Sequence, residues 1–301
     1  MEIDLDTIKQ YYKLSAQELE EIQNRIITEM LAGKTPVQSP KAIFTIAPPG
    51  SGKTGLNGYS MLEIPHYNVI IINNDELKPR HPKASEVARL YPDHYTKIIN
   101  EASIVWTDAL MEHSLSGRYN VIYEGTGRGL RILLRMISKM KELGYEIIVR
   151  AMAVSELNCL MAIVERYEHQ LKETGWGRIV SLATFNKAYH DEMLDTVDFL
   201  EKMPEISTVE VYERGETPTT PRKIYESNDP HNRFPSAKMA VMSGRLADQK
   251  NAVEYFKTFH IRMIQLLKNN ELTQEERNIL RQIQQVYSEL NNAIPKDTGE
   301  R

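Results

Sequence analysis

The apolar positions of this chain alternate between two rhythms. Residues 42–47 (Ala-Ile-Phe-Thr-Ile-Ala) form a nearly continuous apolar run, the signature of a central strand buried on both faces. Residues 68–73, 120–123, 147–154 and 207–212 repeat that signal, and residues 84–90, 101–115, 130–143 and 155–171 between them read as helices. Gly144 follows the third of these helices, where a C-terminal glycine belongs. Strands alternating with helices predict an α/β fold, a parallel central sheet flanked by helices on both faces.

Both ends add helices to this core. Ser15-Ala-Gln-Glu18 has the pattern of a capping box, and Leu19, Ile22, Ile26 and Met30 then share one helical face. Residues 33–40 hold two prolines and read as a linker. Past Tyr212, residues 215–222 are rich in Thr and Pro and read as a loop. Residues 236–269 and 273–292 then read as a helical hairpin, its second helix opened by the box Thr273-Gln-Glu-Glu276. The expected division is an N-terminal helical segment and linker (1–40), a core (41–215), and a linker with a C-terminal helical hairpin (216–301).

The first strand leads into the most informative segment. Ala47, Pro48, Pro49, Gly50, Ser51, Gly52, Lys53 and Thr54 follow the order G-x-x-x-x-G-K-[ST], with Ala47 in place of the first glycine. Gly50 and Gly52 let successive backbone N–H groups turn inward on phosphate oxygens, and Lys53 reaches the β- and γ-phosphates. The Thr54 hydroxyl can ligate Mg²⁺, and the helix that follows offers its positive end to the anion. These residues make a nucleoside triphosphate the expected ligand.

The ends of the next two strands carry the candidate acceptor side. Asn73-Asn-Asp-Glu76 places Asp75 at the carboxyl edge of the sheet, where ligands of open α/β sheets bind. A carboxylate there can take the proton of an attacking hydroxyl; otherwise it is a helix cap or a solvated loop residue. Glu124-Gly-Thr-Gly-Arg128 brings Glu124, Thr126 and Arg128 to the same edge, or forms a plain turn in which Thr126 caps the next helix. Arg166 and Arg178 follow the fourth strand, where arginine forks can hold a transferring phosphoryl group. Together they point to an ATP-dependent small-molecule kinase, a P-loop kinase in fold.

Composition narrows the alternatives. The 301 residues carry a net charge of −4, which gives no electrostatic case for nucleic acid as the main partner. No apolar stretch is long enough to span a membrane, and the acidic start lacks the pattern of a secretory signal, so a cytoplasmic location is expected. The single cysteine, Cys159, lies in an apolar helical stretch and reads as a buried structural thiol. His190-Asp191 lies in a helical run and reads as structural.

The ordered motifs resemble the zeta toxin family, the kinase half of bacterial toxin–antitoxin systems. The resemblance runs from about Ala32 to Tyr212. It rests on Pro49-Gly-Ser-Gly-Lys-Thr54, Asn74-Asp75 with His81-Pro82, Glu124-Gly-Thr-Gly-Arg128, Met152-Ala-Val154 and Glu165-Arg-Tyr167. It implies transfer of phosphate from ATP, with Mg²⁺, to the 3′-hydroxyl of UDP-N-acetylglucosamine, a toxic reaction that starves cell-wall synthesis. It implies a small helical antitoxin as partner. Lys53 and Thr54 would grip ATP and Mg²⁺, Asp75 would be the base, and Arg166 and Arg178 would stabilise the phosphoryl group. Asp108, Glu124, Thr126 and Arg128 would face the substrate. Asp108 stands where the family carries a glutamate and Met136 where it carries a threonine, so the acceptor is the least defined part. Two other readings stay open: a P-loop kinase of a different acceptor such as a nucleotide or NAD, and a non-catalytic ATP-binding regulatory module.

Overall fold

The computed structural model describes residues 4–127, 129–175, 177, 179–217, 220–268 and 272–293. Six strands form one sheet: β1 (Lys41–Ile46), β2 (Val69–Ile72), β3 (Asn120–Gly125), β4 (Glu146–Met152), β5 (Thr208–Glu213) and β6 (Arg222–Glu226). Their spatial order is β2-β3-β1-β4-β5-β6. The first five are parallel, and β6 pairs antiparallel with β5. All five apolar runs are therefore parallel strands, and the α/β fold expected from them is present. β6 is an addition. Part of the stretch read as a loop enters this edge strand, whose only buried residue is Tyr225, so its sequence shows no clear apolar alternation.

Twelve α-helices are described. They are α1 (Leu5–Tyr11), α2 (Ala16–Leu31), α3 (Lys53–Leu62), α4 (Asn74–Leu77), α5 (Ala84–Leu90), α6 (Tyr95–Ser116) and α7 (Leu130–Glu142). They continue with α8 (Glu156–Thr174), α9 (Leu182–Asn186), α10 (Met193–Glu201), α11 (Ala237–Lys268) and α12 (Gln274–Ala293). A π-helical turn, Lys187–Glu192, joins α9 to α10. Both predicted capping boxes form. The Ser15 hydroxyl accepts from Glu18 N while Glu18 accepts from Ser15 N, and Thr273 and Glu276 exchange the same pair of bonds. Among the described residues no helix is long and apolar enough to cross a membrane.

Two apolar layers sandwich the sheet near the phosphate loop. One gathers Phe44, Ile72, Trp106, Val121, Ile137 and Val149 beneath α6 and α7. The other joins Ala47, Leu56, Met152, Leu160 and Phe185 to Phe256, Phe259, Ile279 and Ile283 of α11 and α12. The C-terminal hairpin thus shares a core with the P-loop helix and α8. Cys159 lies in that layer, fully buried, and burial pushes its thiol up to about 12, in keeping with an inert structural role.

A polar row runs across the apolar sheet. Register places Glu124 beside Thr45, Thr45 beside Arg150, and Arg150 beside Glu210. Arg150 is buried and donates to Glu210 Oε2 (2.6 Å), Ser60 Oγ (2.6 Å) and Glu63. Burial works against its charge, but Glu210 and Glu63 outweigh it and hold the guanidinium above its usual range. Ser60 and Glu63 belong to the far end of the α3 segment, so this network ties the P-loop helix to β4 and β5.

Candidate active site

The five parallel strands present their carboxyl ends to one cleft of about 1300 Å³. On its floor the chain leaves β1 and turns into α3. Gly50 and Gly52 have φ of +77° and +96°, a region that disfavours side chains. At Gly50 the requirement is also steric: a Cβ there would stand 2.0 Å from the Cys159 carbonyl oxygen. The Ser51 hydroxyl closes the turn on Pro48 O (2.8 Å). Lys53 Nζ donates to the carbonyls of Ala47 and Pro48, each at 3.0 Å. Burial lowers the lysine's pKa; Glu124 opposes that shift, and Arg166 adds to it. Gly52 caps α3 and its carbonyl accepts from Gly55 N (3.0 Å) and Leu56 N (3.2 Å), while the Lys53 and Thr54 N–H groups precede the first acceptor of the helix. Thr54 lines the cleft in that same turn.

The neighbouring strand ends add carboxylates. Glu124 ends β3 half-buried, and Asn57 of α3 donates to its Oε2 at 2.6 Å. Burial raises the Glu124 pKa; Lys53 lowers it, and Glu76 and Asp75 add to the rise. Asp75 sits in the first turn of α4, which Asn73 caps by accepting from Asp75 N (2.9 Å). The cap is thus Asn73, leaving the Asp75 carboxylate at the cleft wall, exposed and ion-paired with the buried Lys78. Asn74 is fixed by Ser103 and Thr107 of α6 at 3.1 Å each.

Most of the residues singled out in the sequence meet here. Gly50, Gly52, Lys53, Thr54, Asp75, Glu124, Thr126 and Arg166 all line the cleft. Thr126 precedes Gly127, whose carbonyl accepts from Thr196 Oγ1 of α10 at 2.7 Å, anchoring the β3–α7 turn. Asp108 is not among the lining residues. It lies exposed on α6, close enough to Tyr123 to raise that phenol's pKa after burial has done so. Met136 packs against the main core. Arg128 and Arg178 lie outside the described residues.

Several lining groups were not picked out from the sequence. Arg214 follows β5, and its Nη2 donates to Gly50 O at 2.6 Å, bracing the phosphate loop from the far side. Its position just past a parallel strand's carboxyl end was the available signal. Lys97 and Asn100 line the cleft from the opening turns of α6, and Gln274 and Glu275 reach it from the start of α12. Asn57 lies inside an ordinary helical stretch, and nothing local marks it.

Comparison with known proteins gives the family and supports the fold. The zeta toxin family model matches residues 26–228. The chain belongs to the zeta toxin family. The toxin zeta of Streptococcus pyogenes is 34% identical over 151 residues, 49% of this chain and 52% of that protein. The toxin PezT of Streptococcus pneumoniae is 24% identical over 195 residues, 63% of this chain and 75% of the relative. The match thus spans about half the length of the zeta relatives. In structure, the chain resembles one solved for the PezAT chromosomal toxin–antitoxin system of Streptococcus pneumoniae, with a TM-score of 0.66 at 18% identity, covering 93% of this chain and 98% of that one. The native AvrRxo1-ORF1:-ORF2 complex matches at a TM-score of 0.53 and 13% identity, over 92% and 86%. These likenesses support the P-loop kinase-like fold.

Proposed function

We propose that this zeta-family chain transfers the γ-phosphoryl group of ATP to a hydroxyl of a UDP-activated amino sugar, the 3′-hydroxyl of UDP-N-acetylglucosamine. The observation that carries the reading is the placement of Asp75 and the Lys53 loop on one cleft, at the ends of strands separated only by β3. The cleft volume of about 1300 Å³ exceeds the roughly 300–1,000 Å³ of a pocket for one small ligand, so it has room for ATP and a sizeable acceptor.

The residues fit the nucleotide. The Gly50–Cys159 contact leaves space only for backbone, which makes a cradle of N–H groups, and Lys53 adds a cation within it. Oxygen donors suited to Mg²⁺ stand beside it: the Thr54 hydroxyl, with Asp75 and Glu124 on the facing strand ends. When bound, that ion supplies charge neutralisation between the β- and γ-phosphates. Asp75 accepts the proton of the attacking hydroxyl, and the ion pair with Lys78 aims its carboxylate. Arg166 and Arg178 hold the equatorial oxygens of the transferring group. Glu124, Thr126 and Arg128 orient the sugar, with Asp108 close to Tyr123.

In the cell this reaction makes the chain a cytoplasmic toxin that depletes a cell-wall precursor. A small helical antitoxin that covers the ATP site would restrain it. The test is incubation with ATP, Mg²⁺ and UDP-N-acetylglucosamine, followed by mass spectrometry for a sugar nucleotide one phosphate heavier. A folded, ATP-binding protein that yields none would remove this substrate. Asp108 is not among the residues lining the cleft and Met136 packs half-buried against the core, which favours a second reading in which the acceptor is another small alcohol. A screen of nucleotides, NAD and sugar nucleotides for ATP consumption separates the two.

A further inference from the structure

The C-terminal hairpin holds the start of α8 through Asp248 and Gln282, and it also grips the turn that carries Arg166. Arg262 of α11 places Nη1 3.1 Å from Glu165 Oε1 and pairs its Nη2 with Glu168. The Tyr255 hydroxyl donates to the same Glu165 oxygen. Tyr167 shares a hydrogen bond with Glu276, which completes the capping box of α12 with Thr273. The residues on both sides of Arg166, and Glu168 beyond, are thus bound to the hairpin, while Arg166 lines the cleft. The fork of Arg262 also holds two carboxylates that would otherwise stand one and two positions from a guanidinium meant for phosphate.

We propose that Arg262 is a positioning residue for phosphoryl transfer: by clamping Glu165 and Glu168 it sets the direction of Arg166 and keeps their charge off the cleft. The inference rests on the kinase reading for Arg166. It gives the hairpin a task in catalysis, because a small displacement of a charged group can slow a step by up to about 10²-fold.

The test is a double-mutant cycle on Arg262→Met and Arg166→Ala, following kcat, KM for ATP and thermal midpoint. Arg262→Met is expected to lower kcat about tenfold and change KM for ATP less than about twofold. The double variant should be no slower than Arg166→Ala alone, and Arg262→Lys should recover part of the rate by holding one carboxylate. The ion pairs are partly exposed, so the thermal midpoint should move little. Effects that multiply in the double variant, or a wild-type rate for Arg262→Met, overturn the proposal. Should Arg262→Met fail to fold, Tyr255→Phe removes one bond to Glu165 and enters the same cycle with the same expectations. If the wild-type protein turns over no acceptor, the kinase reading falls separately. The cycle is then read on affinity for ATP relative to ADP, where additive effects or none overturn the clamp and non-additive effects sustain it.

Discussion

The two halves of the cleft are built in opposite ways. The phosphate half is one contiguous segment held from every side. Cys159 O stands against Gly50, Arg214 holds the Gly50 carbonyl, Lys53 holds those of Ala47 and Pro48, and Arg150 secures α3 from below. The acceptor half is assembled from the start of α4, the turn before α6 and the end of β3, and its charged groups Asp75, Asp93 and Lys97 are exposed. On the proposed reading, the first half would bind a ligand common to many enzymes, mainly through backbone geometry with Lys53. The second would distinguish one hydroxyl from others with a few side chains that substitution can change without disturbing the core.

The largest effect should come from breaking the phosphate half at its tightest contact. Gly50→Ala sets a methyl against the Cys159 carbonyl and strains a positive φ, so ATP affinity should fall at least about 100-fold by calorimetry. Retained affinity would show that the loop does not need its backbone cradle. Next, Arg150→Met leaves Glu210 and Glu63 without their shared cation. It should cost about 3–5 kcal/mol of stability in chemical denaturation, far more than any single change at the exposed acceptor wall.

Smaller effects sharpen the contrast. Glu124 lies where the halves meet, and burial holds its pKa above the ordinary carboxylate range. A role as an ionised acceptor then requires activity to rise with pH through that elevated pKa and to be lost below it. Asn57 donates to the ionised form, so Asn57→Leu should move the acidic limb of kcat/KM to higher pH, and Glu124→Gln should remove it. An unmoved limb in Asn57→Leu would separate Glu124 from the profile. Arg214→Ala removes one hydrogen bond from the phosphate loop, worth about 1 kcal/mol, and should weaken ATP roughly fivefold while leaving acceptor affinity unchanged.

The same contrast explains what could be read in advance. The order of β1, phosphate loop and α3 is local, so residues 41–54 announced strand, turn and helix together. The parallel strands were legible because burial on both faces leaves apolar runs, whereas β6 buries only Tyr225 and passed as part of a loop. Lys53, Asp75, Glu124 and Arg166 were legible because each sits at a strand end or in the helix after one. Arg214 and Gly50 are 164 positions apart, and Asn57 meets Glu124 across 67, so those bonds exist only once the sheet has formed. Asp108, suggested by family pattern, is exposed on α6 near Tyr123 and is not among the residues lining the cleft.

The central claim, that a carboxylate on β2's end serves the nucleotide held on β1's, is tested most directly by comparing the protein with its Asp75→Asn variant. Both receive ATP, Mg²⁺ and UDP-N-acetylglucosamine, phosphorylated sugar nucleotide is quantified by mass spectrometry, and ATP affinity is measured alongside. The expected result is product from the unaltered protein, turnover lower by about 10²–10⁴-fold in the variant, and ATP affinity within about twofold. Equal product from both proteins would contradict the account.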